Sequence, residues 1–232
     1  MNTTRSIYRG FCFPAEIISH AVFLYHRFPL SLRDVEELLA LRGIAVSYES
    51  IRRWCRRFGP HYARNLRRRQ PTSGDHWFLD EVFVNIQGQR HYLWRAIDQD
   101  GDVIDILLQR RRNGRAAKRF FRKLLKRQQR SPNRLVTDKL GSYRVAHREE
   151  MPGVPHETRQ YANNRIEASH RRTRIRERQM LGFRSVGNAQ RFLSVQSAVM
   201  NVFNWGRHQL TAERYRYFRF RAFDAWSLAS HV

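Results

Sequence analysis

Lysine and acidic residues are both scarce in this chain of 232 residues. Lysine occurs only at 118, 123, 126 and 139, although Lys and Arg together number 44 against 20 Asp and Glu. The positive charge is therefore almost all arginine, with a formal net charge of +24. Such an excess repels itself in a compact fold unless a polyanion offsets it. Arginine adds a planar fork that grips phosphate bidentately and stacks on bases, so the expected partner is nucleic acid. Cysteine is nearly missing too. Cys12 and Cys55 stand far apart with no Cys-x-x-Cys, which excludes a zinc ribbon and a disulfide framework. No apolar run reaches the length of a membrane span, and the N-terminus lacks a signal peptide's apolar core. The expectation is a protein of the cytoplasm, associated with the nucleoid, with no membrane partner.

What is present is organised. The hydrophobic share of 41% suffices for a core. Residues 13–70 read as helices, with Ile17, Ile18, Ala21, Val22 and Tyr25 at helical spacing. Ser31 and Asp34 form a capping-box pattern, and Gly43 suits a helix stop. A short turn leads into Tyr48–Gly59, where Arg52, Arg53, Arg56 and Arg57 interleave with Ile51, Trp54, Cys55 and Phe58. Helix, turn and basic second helix make a helix-turn-helix pattern, whose four arginines are candidate DNA contacts. The polar stretch 67–75, with Pro71 and Gly74, reads as a linker. Beyond it the period becomes strand-like: 77–86 and 91–97 as a hairpin, 103–108 as a third strand, a helix over 114–129, and a strand 134–137. A short helix over 141–150, a possible strand near 156–161, a helix beginning at Asn163 or Asn164 and a long helix over 185–205 follow. The expected domains are a DNA-binding module at 1–70, a catalytic domain at 71–210 and a basic, aromatic tail at 211–232.

Three acids stand out in this order. Asp80 interrupts the apolar run Trp77-Phe-Leu-Asp-Glu-Val-Phe-Val, Asp138 closes Leu135-Val-Thr, and Glu167 lies on a basic helical stretch. A carboxylate among Trp, Phe, Leu and Val is costly to bury uncompensated. A divalent metal compensates it, since Mg²⁺ is held by one or two carboxylates plus phosphate oxygens. Acids on a first strand, after a fourth strand and on a late helix follow the layout of an α/β, ribonuclease-H-like mixed sheet flanked by helices.

The stretches His76-Trp-Phe-Leu-Asp-Glu, Tyr92-Leu-Trp-Arg-Ala-Ile-Asp, Arg111-Arg-Asn, Val136-Thr-Asp-Lys, Tyr161-Ala-Asn-Asn-Arg-Ile-Glu and Arg174-Ile-Arg-Glu-Arg carry a resemblance. Over roughly residues 10–210 the chain resembles the DDE transposases of insertion sequences, in particular the insertion-sequence-six family. The resemblance implies that Asp80, Asp138 and Glu167 are catalytic and hold two Mg²⁺ or Mn²⁺ ions. It further implies cleavage and strand transfer on double-stranded DNA, at terminal inverted repeats and at target DNA, by a replicative route and in a homodimer or larger assembly. Arg174, two helical turns past Glu167, and Arg171 are then phosphate contacts. The 28 residues between Asp138 and Glu167 are fewer than in well-known members, a trimming placed at Met151-Pro-Gly-Val-Pro.

Other acids and histidines have plainer readings. Glu81 follows Asp80 on a strand, points to the opposite face and is expected to meet solvent, with a supporting role open. Asp98, Asp100 and Asp102 read as a turn rather than a calcium loop, because Val103 stands where that loop needs glycine. For His76 and His170, support of the acids and surface placement stay open. Asn163 and Asn164 read as helix caps first. Two rival functions remain at this stage: a DNA-binding regulator without catalysis, and a nuclease that cuts DNA without joining it.

Overall fold

The computed structural model describes residues 6–159, 161–205 and 210–231. They form two compact units, one from the described residues up to Gln70 together with those from Ser194 onward, the other from Pro71 to Leu193.

The first unit opens with α1 (Ala15–Arg27), α2 (Leu32–Ala40) and α3 (Tyr48–Arg69). The capping box is present: Asp34 N–H donates to Ser31 Oγ at 3.1 Å, and Ser31 N–H to Asp34 Oδ2 at 2.8 Å. Gly43 takes φ +74° in the turn, where a side chain would be strained. On α3, Ile51, Trp54, Cys55 and Phe58 are buried while Arg52, Arg53, Arg56 and Arg57 are exposed. The helix does not stop at Gly59. It passes through Pro60 to Arg69, because Tyr62, Ala63 and Leu66 continue the buried stripe and outweigh the hydrogen bond that proline cannot make.

The second unit is built on five strands: β1 (His76–Ile86), β2 (Gln89–Asp98), β3 (Val103–Gln109), β4 (Arg134–Thr137) and β5 (His156–Glu157). Their order is β3-β2-β1-β4-β5. The first three form an antiparallel meander, while β4 runs parallel to β1 and β5 parallel to β4. This is the ribonuclease-H-like mixed sheet. Gln87 and Gly88, both at positive φ, make the two-residue turn of the first hairpin. Asp98 ties the next turn by accepting from the N–H groups of Asp100 and Asp102 at 3.0 and 2.9 Å, so the alternating acids serve as turn residues.

Helix α4 (Gly114–Gln128) and α5 (Gly141–Glu150) cover one face of the sheet. Trp77, Leu79 and Trp94 meet Phe120, Phe121, Leu124 and Tyr143 there in one buried cluster. Asn113 Oδ1 caps α4 by accepting from Ala116 N–H at 3.0 Å. Helix α6 (Asn164–Gln179) packs on β1, and its buried residues Ile166, His170, Thr173 and Arg176 are mostly polar. It is therefore seated by hydrogen bonds more than by apolar burial.

Helix α7 (Val186–Val202) contains the boundary between the units. Gln190, before that boundary, accepts from Leu108 N–H at 2.7 Å. Past it, Val195 lies within 3.4 Å of the Cβ position of Gly59, and Arg67 donates to Ser194 Oγ at 2.7 Å. The second compact unit thus closes at Leu193, inside α7. The stretch read as a tail is helix α8 (Ala212–Ser230), whose Trp226 packs on Phe23 and Tyr62. Among the described residues, no helix is long and apolar enough to cross a membrane.

Candidate active site

The parallel register of β1 and β4 runs from His76 opposite Arg134 to Leu79 opposite Thr137. Asp80, still within β1, and Asp138, one residue past the end of β4, come next, at the point where the ladder ends. Each apolar run delivers one carboxylate to the same place because both strands run in the same direction. One oxygen each from Asp80, Glu81 and Asp138 lies within 4.8 Å of the other two. Glu167 is outside that group. It is exposed on the first turn of α6, and lines one cavity with Asp80, Asp138, Lys139, Asn163 and Asn164.

Glu81 does not meet solvent. Its side chain is 1% exposed, because Tyr143 of α5 covers that face of β1. Tyr143 Oη donates to Glu81 Oε2 at 2.5 Å, and Arg112 Nε donates to Glu81 Oε1. Burial pushes the Glu81 carboxyl up to about 7, against the lowering by Tyr143 and Arg112, with Asp80 and Asp138 adding repulsion. Burial also raises the Asp138 carboxyl, opposed by the Leu140 N–H donated to Oδ1 at 3.0 Å. Arg112 Nη2 stands 3.7 Å from Asp138 Oδ2.

On the other face, hydrogen bonds fix α6 to the sheet. Asn163 Nδ2 donates to the Leu79 carbonyl at 2.8 Å, and its side chain makes no cap bond, so its role is a rivet to β1. Arg95, opposite Asp80 in the β1–β2 register, is buried and donates to Ser169 Oγ at 2.7 Å and to Thr173 Oγ1 at 2.6 Å. Burial lowers its guanidinium to about 10. Glu177 Oε1 accepts from Asn85 N–H at 2.9 Å. Beside these anchors, buried His170 brings Nε2 to 3.2 Å from Asp80 Oδ2. Burial is the main influence on that imidazole and lowers its pKa. His76, by contrast, is exposed. Arg174 lies over the Phe83 ring at 5.1 Å, and Arg171 is exposed.

Sequence reasoning gave no role to Arg95 or Arg112, although both lie in stretches that carry the resemblance, and missed Tyr143. Arg95 carried a readable signal, a charge inside the apolar run Tyr92–Ile97, the same signal that singled out Asp80. Tyr143 carried none, since only the packing of α5 brings it to Glu81.

Comparison with known proteins identifies the family. Residues 74–205 match a family model described as a DDE domain. The transposase for insertion sequence-like element IS431mec of Staphylococcus aureus (strain N315) is 30% identical over 203 residues, covering 85% of this chain and 89% of that one. The transposase for insertion sequence element IS257 in transposon Tn4003 of Staphylococcus aureus is equally similar over the same shares. The chain belongs to the DDE transposases of insertion sequences, in the insertion-sequence-six family. Among solved structures, it is similar to the catalytic domain of Mos1 mariner transposase, with a TM-score of 0.45, 14% identity, and 76% of this chain and 95% of that chain covered.

Proposed function

We propose that the chain cleaves and rejoins DNA strands at the ends of an insertion sequence, with Asp80, Asp138 and Glu167 as the carboxylates that hold divalent ions. The observation that carries this reading is the side-by-side delivery of Asp80 and Asp138 by two parallel strands, into a cavity that Glu167 also lines. Asp80 and Asp138, with an oxygen of each within 4.8 Å of the other, and Glu167 in the same cavity offer only carboxylate oxygens, which suits Mg²⁺ or Mn²⁺. When bound, a pair of such ions supplies activation of an attacking oxygen and stabilisation of a leaving oxygen in phosphodiester displacement. The chain's own residues do the positioning. His170 stands beside Asp80 at 3.2 Å, Leu140 N–H holds Asp138, and Asn163 and Arg95 set α6 and with it Glu167. Water is the first nucleophile and the freed 3′-hydroxyl the second, so no serine or tyrosine nucleophile is required.

The substrate is double-stranded DNA, at terminal inverted repeats and at the target. The exposed Arg52, Arg53, Arg56 and Arg57 face of α3 is suited to read the repeat. Arg171 and Arg174, exposed on α6, are suited to backbone phosphates. Both ends of an element must be processed together, so the working form is a dimer or larger assembly on DNA. The test is a labelled repeat-end duplex incubated with Mg²⁺ and target DNA. Joined products are expected, and none after chelation. Hydrolysed ends with no joined product would assign a nuclease instead.

A further inference from the structure

The Tyr143–Glu81–Arg112–Asp138 chain has no part in the reading above, yet it ends on one of the proposed ligands. Glu81 is the buried member, 1% exposed, and is held from the protein side by Tyr143 at 2.5 Å. Its other oxygen takes the Arg112 Nε, while Arg112 itself is 43% exposed. The fork is thus fixed at its root and only loosely engaged at its tip. The tip, Nη2, stands 3.7 Å from Asp138 Oδ2, too long for a hydrogen bond but close enough to neutralise the acid. Asn113, the next residue, caps α4 at 3.0 Å and so fixes the backbone from which Arg112 reaches in.

We propose that Arg112 is a catalytic phosphate clamp, tethered by Glu81, that turns its Nη groups from Asp138 to the scissile phosphate. This rests on the proposed function. A guanidinium held by one edge leaves the other edge's donors for phosphate oxygens, where charge grows in the displacement. A cation taken by Asp80 and Asp138 displaces the long 3.7 Å contact, and the clamp requires that Glu81, which has an oxygen within 4.8 Å of theirs, stays with Arg112 Nε. Glu81 is a positioning residue, acting through Arg112.

The experiment uses full-length protein with Arg112→Gln, Arg112→Lys, Glu81→Gln and Tyr143→Phe, each checked for a native circular-dichroism melt. Strand cleavage is read as kcat and KM, and Mn²⁺ affinity by calorimetry without DNA. The expected result for Arg112→Gln is a kcat roughly 100-fold lower, the scale of losing one charge-stabilising donor, with Mn²⁺ affinity not weakened. Arg112→Lys should recover part of that rate, and Glu81→Gln should reproduce most of the loss. Cleavage by Arg112→Gln within twofold of the parent overturns the clamp. So does a parallel loss of Mn²⁺ affinity, which would make Arg112 only a support for Asp138. A silent Glu81→Gln beside a defective Arg112→Gln removes the tether, and Tyr143→Phe supplies a second probe of it. Failure of the metal reading is separately visible, as Mn²⁺ binding unchanged in Asp138→Asn.

Discussion

Thr173 shows how much depends on single buried contacts. Its Oγ1 takes a hydrogen bond from the buried Arg95 guanidinium at 2.6 Å. Thr173→Val keeps the shape and removes the acceptor, leaving part of a buried charge unsatisfied. Urea unfolding should report a loss of about 1–3 kcal/mol. A loss near zero would mean that Arg95 finds another partner. The same residue scale explains what could be read without a structure. Asp80 and Asp138 were legible because a carboxylate in an apolar strand needs a reason, and Arg95 broke the same rule without being given a role. Glu81 was misjudged because strand alternation predicts a face, not what covers it. That face is covered by Tyr143, which is remote in sequence.

At the scale of elements, periodicity served well where burial is one-sided and apolar. The stripes of α1, α3 and α4 and the runs of β1 to β4 gave their elements directly. Where polar bonds replace apolar burial, the signal faded. Helix α6 is seated by Asn163, Ser169, Thr173 and Glu177, so its packing face could not be drawn from hydropathy. Helix α8 hid for the opposite reason, since aromatic and arginine residues occur all around it. Two outcomes belong to this scale. Asn113→Ala removes the α4 cap and should cost about 1 kcal/mol in thermal or urea unfolding. At the β4–β5 edge, His156 packs at a tilt on His147 with ring centroids 4.6 Å apart and lies 2.8 Å from Thr137 Oγ1. Burial, with His147 and Arg144 adding repulsion, depresses its pKa to about 4. Between pH 6.5 and 4 the unfolded chain therefore binds the extra proton, and stability falls as pH falls through that window. The melting temperature should drop across it, with a shallower slope in His156→Phe. An unchanged slope would exonerate His156.

For the molecule as a whole, charge is the governing quantity. A net +24 carried almost entirely by arginine implies DNA binding that weakens steeply with salt. Arg53→Ala should reduce the slope of log affinity against log salt by about one if it meets a phosphate. If it reads a base instead, the slope stays and discrimination of the inverted repeat falls. Beyond binding, the proposed reaction requires three carboxylates acting together. The direct measurement compares strand joining by Asp80→Asn, Asp138→Asn and Glu167→Gln on labelled repeat ends with Mg²⁺, at matched DNA occupancy. All three should lose at least roughly 100-fold in rate while binding DNA like the parent. Joining that survives in Asp80→Asn or Asp138→Asn would contradict the account at its centre.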